Sequence, residues 1–250
     1  MQFFNGFDVN RALTLAQLSN EAYIQYENYT KGIKWAGPKG YKFEISCHAA
    51  YEGNNIPIGF IASKEDDVYI SWRGTSTAKE WIEDGKFEQI VCPYLPDNVK
   101  VHLGFNQLYT TTALTQSPRE VVIDYLSKRQ IKGSIYVTGH SLGAALATLN
   151  ALDIHTNTSC KNVKLYSFAS PRVGEPRFAS FYNRRVTDSW RVVNANDEVP
   201  CLPLKSALEE HYMHVNSEVD IKFGRNYIWD WAGAHSLENY INQLKVLKYC

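Results

Sequence analysis

A chain of 250 residues with 44% hydrophobic and 21% charged residues has the make-up of a globular protein, and at this length roughly 70–75% of the unfolded surface can be buried without disulfides or metals. Lys plus Arg and Asp plus Glu number 26 each, which leaves no electrostatic footprint for nucleic acid or an anionic membrane. No apolar run approaches the ~18 residues that span a bilayer, so no transmembrane segment is expected.

The first eleven residues lack a basic stretch followed by a long apolar run, so the chain reads as cytoplasmic, or as a mature secreted form whose signal has been removed. Asp8 then caps a helix to Tyr26, with Val9, Ala12, Leu13, Ala16, Ala22 and Tyr23 at helical spacing. Phe43, Ile45 and Cys47 alternate as in a half-buried strand. Pro57–Ile61 and Val68–Trp72 are strand-like, the first placed nearer an edge by its proline. Leu103–Leu126 reads as a helix in two pieces, restarted by Ser117 as cap and Pro118 in the first helical position. Ile135–Thr138 is a strand and an Ala- and Leu-rich helix follows it. Val163–Phe168 and Trp190–Val193 are further strands, Phe178–Asn183 a helix, and His211–Ile221 a strand pair around Asn216-Ser217. Leu237–Leu247 closes the chain as an amphipathic helix. There is no repeat or linker, so residues 1–250 read as one domain. Strands alternating with helices predict an α/β fold with a mostly parallel sheet covered on both faces. Cys47, Cys92, Cys160, Cys201 and Cys250 show no C-x-x-C or zinc spacing, and the sixteen tyrosines, spread along the chain, read as packing residues.

Chemistry concentrates at Gly139-His140-Ser141-Leu142-Gly143. This is G-x-S-x-G between a strand and a helix, the context of a nucleophile elbow. A serine hydroxyl needs a base to take its proton and an acid to orient that base, in the chain order Ser, Asp or Glu, His. Among the downstream histidines, His155 lies on the elbow's own helix, and His211 and His214 sit in a strand-like stretch. His235, in Ala232-Gly233-Ala234-His235-Ser236, a small-residue loop just before the last helix, is the favoured base. Asp197, on the loop after Trp190–Val193, is the favoured acid, because open α/β sheets gather their sites at the carboxyl ends of strands. An oxyanion needs donors. The Leu142 N–H comes with the elbow. Thr75, in Arg73-Gly74-Thr75-Ser76, is the candidate second donor, and spacing alone leaves a plain capped turn equally open there.

The chain resembles the class 3 (fungal-type) lipases. The matching segments are Trp72–Ser76, Trp81–Asp84, Val101–Phe105, Val137–Ala144, Phe168–Gly174, Val192–Asn194, Asp197–Pro200 and His235-Ser236, in the family's order over nearly the whole chain. The resemblance implies an α/β-hydrolase with a mixed sheet and a short helical lid. It also implies Ser141, Asp197 and His235 as a catalytic triad, and Thr75 and Leu142 as the oxyanion hole. The activity implied is carboxylic-ester hydrolysis on triacylglycerol or a related acyl lipid, with no metal or organic cofactor. Phospholipase A1, feruloyl esterase and general carboxylesterase chemistry share this scaffold. A lipase-like binding module without catalysis would typically lack a triad member, and all three are present here. The lid of the family corresponds to about Ser76–Lys86, where only Trp81 and Ile82 are large and apolar. Two anchors of about 1.5–3 kcal/mol each on full burial can hold a lid shut but offer little area to a lipid surface.

Overall fold

In a computed structural model of the chain, residues 6–51, 53–75, 87–207, 210–223 and 231–249 are described. Helix α1 (Val9–Thr30) starts where Asp8 Oδ1 accepts the Arg11 N–H at 3.0 Å, and runs one turn past Tyr26. Strands β1 (Lys42–Tyr51), β2 (Asn54–Lys64) and β3 (Asp67–Trp72) follow, then β4 (Gln89–Val91) and β5 (Lys100–His102). The expected two-piece helix is α2 (Leu103–Thr110) and α3 (Pro118–Ser127). Next come β6 (Ile135–His140), α4 (Leu142–Asn157), β7 (Val163–Phe168), α5 (Pro176–Asn183) and β8 (Asp188–Asn194). The last elements are β9 (Ser206–Ala207), β10 (Glu210–His211), β11 (Glu218–Ile221), α6 (Trp231–His235) and α7 (Leu237–Lys248).

The central sheet has seven strands in the order β1-β2-β3-β6-β7-β8-β11. The run from β3 to β11 is parallel, and β1 and β2 add an antiparallel edge. The β6, β7 and β8 strands are almost wholly buried, as strands covered on both faces must be. On one face α1 and α7 enclose Leu15, Phe60, Tyr166, Tyr240 and Leu244. On the other, α2 to α5 pack around Trp72, Phe105, Leu146, Leu149 and Phe178. Every residue from Leu142 to Ile154 is buried, which explains the near-continuous Ala and Leu sequence of α4.

The strand with Pro57, β2, lies nearer the sheet edge than β3, as its proline suggested, with β1 outside it. Cys47 opposes Gly59 and His48 opposes Pro57, so Ile58 is an extra residue, and such a bulge tolerates a proline with no N–H to donate. One sequence expectation is corrected: His211–Ile221 is not a hairpin about Asn216-Ser217. His211 belongs to β10, paired with β9, while β11 joins the main sheet parallel to β8. Among the described residues no helix is long and apolar enough to cross a membrane.

Candidate active site

Strands β3, β6 and β8 run in the same direction, so the loops at their carboxyl ends meet at one edge of the sheet. Ser141 follows β6 directly with φ 58° and ψ −127°, a backbone conformation that a non-glycine residue holds only when its surroundings impose it. Its neighbours do impose it. A Cβ at Gly139 would strike the Gly143 backbone, and one at Gly143 would strike the Trp72 carbonyl. The Ser141 N–H is meanwhile tied to the Phe168 carbonyl at 3.0 Å. The side chain is thereby forced out of the sheet toward His235.

His235 ends α6; the small-residue segment around it is a helical turn, not the loop expected from sequence. Its Nε2 lies 2.9 Å from Ser141 Oγ, and its Nδ1 lies 2.8 and 3.0 Å from the two oxygens of Asp197. A carboxylate only accepts, so the Nδ1 carries the proton and the Nε2 lone pair faces the serine hydroxyl. Asp197 stands where the chain turns after β8, its N–H donating to the Asn194 carbonyl at 2.9 Å. One of its oxygens also accepts the Val199 N–H and the other the Tyr240 hydroxyl. All three residues are at least nine-tenths buried, so their interactions are little screened by water.

The third group of donors is adjacent. A Cβ at Gly74 would lie 3.2 Å from Ser141 Cβ and 2.7 Å from the His140 carbonyl, so the loop after β3 lies against the elbow with Thr75 next in line. Thr75 Oγ1 is buried with no hydrogen-bond partner among the described residues, an arrangement that costs free energy unless something else supplies an acceptor. Leu142 is the first residue of α4 and its N–H has no intrahelical carbonyl to meet. Trp81 and Ile82 lie outside the described residues.

Sequence reading placed the other histidines away from this site, and so does the structure. His155 is in the last turn of α4, and His211 is exposed on β10. His214 Nε2 donates to the Pro200 carbonyl at 2.7 Å, and burial brings its pKa down to about 3. Several residues of the site were missed. His140, inside the elbow motif itself, has Nε2 2.8 Å from the His235 carbonyl and Nδ1 2.8 Å from the Tyr23 hydroxyl, and burial holds its pKa well below the usual imidazole value. Asn194 Nδ2 donates to the Ala234 carbonyl at 3.0 Å, joining the end of β8 to the helix that bears His235. The Tyr240 hydroxyl accepts the Asn194 N–H at 2.9 Å while donating to Asp197 at 2.9 Å. The only sequence signal for these was adjacency: His140 abuts Ser141 and Asn194 ends the strand before Asp197.

Comparison with known proteins agrees with this architecture. Residues 69–207 match the family model Lipase (class 3). A phospholipase A1-II 3 of Oryza sativa subsp. indica is 32% identical over 79% of this chain and 55% of its own length. A lipase of Rhizomucor miehei is 36% identical over 74% of this chain and 52% of its own. The chain spans about half the length of the curated relatives it matches. Among solved structures, Rhizomucor miehei triacylglyceride lipase superposes with a TM-score of 0.68 at 29% identity, covering 85% of this chain and 80% of that one. A triacylglycerol lipase whose catalytic centre is a serine protease triad superposes at 0.71 with 28% identity over 88% and 82%. By sequence and by fold, the chain belongs to the class 3 lipase family.

Proposed function

We propose that the protein hydrolyses carboxylic esters of lipids through an acyl-enzyme, with Ser141 as nucleophile, His235 as general base and Asp197 as its orienting acid. The observation that carries this reading is the unbroken line of hydrogen bonds from Asp197 through His235 to Ser141. His235 draws the proton from Ser141 as the hydroxyl oxygen attacks the ester carbonyl. The N–H groups of Thr75 and Leu142, with the Thr75 hydroxyl, receive the oxyanion. His235 then protonates the departing alcohol, and a water molecule repeats the sequence to release the fatty acid. Asp197 keeps the imidazole in the productive tautomer and stabilises its cationic form. The curated relatives, named as phospholipases A1 and lipase, support an acyl lipid as substrate.

The test is fluorophosphonate labelling together with hydrolysis of nitrophenyl esters of increasing chain length, emulsified triacylglycerol and phosphatidylcholine vesicles. The parent should label at one site, and Ser141→Ala should lose labelling and about 10⁴-fold or more of its turnover. If Ser141→Ala labels as well as the parent, the nucleophile is elsewhere. A jump in rate when esters pass their solubility limit would support the lid role of Trp81 and Ile82; a smooth curve would count against it.

A further inference from the structure

The loop that carries Thr75 is fixed by two side chains that no part of the reaction scheme uses. Arg73 is 6% exposed. Its Nη1 donates to the Gly74 carbonyl at 2.8 Å and its Nε to the Pro57 carbonyl at 3.4 Å. Its guanidinium also lies 3.9 Å from the centre of the Tyr26 ring, and its own N–H is paired with the Ile58 carbonyl at 2.8 Å. The guanidinium is thus fixed to β2 and α1, with its Nη1 aimed at the Gly74 carbonyl. In a trans peptide the carbonyl and the next residue's N–H point in opposite directions. Holding the Gly74 carbonyl toward Arg73 therefore turns the Thr75 N–H away from Arg73.

The other side of Gly74 is braced by Tyr23, whose phenol oxygen stands where a Cβ at Gly74 would be. The Tyr23 hydroxyl in turn donates to His140 Nδ1 at 2.8 Å. This assignment follows because His140 Nε2 faces the His235 carbonyl, which can only accept. Hydrogen bonds thus run from Tyr23, packed against the loop that carries Thr75, through His140 in the elbow to the backbone of His235.

We infer that Arg73 and Tyr23 are positioning residues of the oxyanion hole: Arg73 holds the Gly74 carbonyl and Tyr23 packs against Gly74 from the other side, a clamp that leaves the Thr75 N–H facing the reacting carbonyl, and Tyr23 ties that setting to His140 and His235. This rests on the proposed triad and hole. It also explains why position 74 must be glycine, since Tyr23, His140 and Ser141 converge where a side chain would stand. Arg73 suits the task because only a forked guanidinium reaches two carbonyls while stacking on a ring; the point charge of a lysine does not.

The experiment compares the parent with Arg73→Lys, Arg73→Met and Tyr23→Phe on a soluble nitrophenyl ester, with kcat expressed per fluorophosphonate-titrated site. Misplacing an oxyanion donor acts on the transition state and not on substrate binding. The expected result is a fall in kcat of about 10²-fold in both Arg73 variants, with KM unchanged. A trifluoromethyl ketone, which forms the tetrahedral adduct, should bind more weakly by the same factor. Tyr23→Phe, which alters one atom, should show the same pattern more mildly. Were the two residues only structural, the variants would show fewer titratable sites or a lower Tm, with kcat per site and ketone affinity unchanged; that result overturns the clamp. A parent that neither titrates nor hydrolyses esters, or Ser141→Ala that keeps turnover, removes the triad reading and the clamp with it. A fully active parent with fully active Arg73 and Tyr23 variants removes the clamp alone.

Discussion

Asp197 receives four hydrogen bonds at its two oxygens: the pair from the His235 ring, the Val199 N–H and the Tyr240 hydroxyl. The Tyr240 bond joins a neutral donor to a charged acceptor, a class worth about 1.5–3 kcal/mol. Burial and the neighbouring carboxylate raise the phenol pKa well above its usual value, so Tyr240 remains a donor at any working pH. Tyr240→Phe should lower stability by about 2 kcal/mol in urea titration, since it also leaves the buried Asn194 N–H without an acceptor. Its kcat should fall far less than that of Asp197→Asn, because the His235 tautomer is set by the carboxylate and not by the phenol. An unchanged urea midpoint would show the bond to be inert. The contrast explains what could be read at this scale. Ser141, Asp197 and His235 declare themselves through adjacent residues, a glycine frame and loops after strands. Tyr23 and Tyr240 instead sit at positions whose helical spacing already accounts for a ring in the core. Their rings do pack, and a sequence does not say where the hydroxyl ends.

Element by element, the same distinction holds between local and distant causes. The restart at Ser117 was legible because a capping box is a local device: Ser117 Oγ accepts the Glu120 N–H at 3.2 Å and Glu120 accepts the Ser117 N–H at 2.7 Å. The stretch before Ile221 was misplaced because strand order and partner are settled by residues far along the chain. The buried end of α4 was equally opaque. Asp153 is wholly buried there and accepts from Tyr109, Asn157 and Arg119, the Arg119 Nε lying 2.9 Å away. Burial raises its pKa in spite of Arg119. Nothing in Leu-Asp-Ile-His marks that carboxylate as interior, since Tyr109 and Arg119 reach it from α2 and α3. Two substitutions on or beside α3 should separate the local device from the distant one. Ser117→Ala should cost about 1 kcal/mol as a lost cap. Arg119→Met should cost about 3 kcal/mol, the low end for a broken buried pair, because Tyr109 and Asn157 still donate to the stranded carboxylate. Equal shifts in urea midpoint would mean that the ion pair contributes no more than the cap.

Across the whole molecule the common feature is that three histidines outside the proton relay, His102, His140 and His214, serve as neutral hydrogen-bonding groups and must stay neutral. His102 closes the amino end of α2, its Nδ1 accepting the N–H groups of Gly104 and Phe105 at 3.1 and 3.4 Å, and burial depresses its pKa to about 4. His140 accepts from Tyr23 at Nδ1 and is depressed well below the usual value, and His214 lies at about 3. In the unfolded chain each returns to ~6.5. Between those values the unfolded state binds the extra proton, so stability is complete above pH ~6.5 and is lost as the pH falls toward each folded value. One such group loses about 1.4 kcal/mol per pH unit once the pH is well inside its window. Asp153, with its raised pKa, acts in the opposite direction and offsets only part of this loss. The urea midpoint should therefore drop steeply from pH 7 to 4.5. His102→Asn isolates one contribution, because asparagine accepts the same capping bonds but does not titrate. Losing the ring that stacks on Phe105 at 4.1 Å lowers its stability somewhat at pH 7, yet it should lose about 2 kcal/mol less than the parent on going to pH 4.5. Parallel pH curves for the two proteins would mean that His102 is already protonated in the folded state, and with it that the cap on α2 is made some other way. The same proton, placed on His140, removes the acceptor for Tyr23, so acid should slacken the site through its supports as well as through the base.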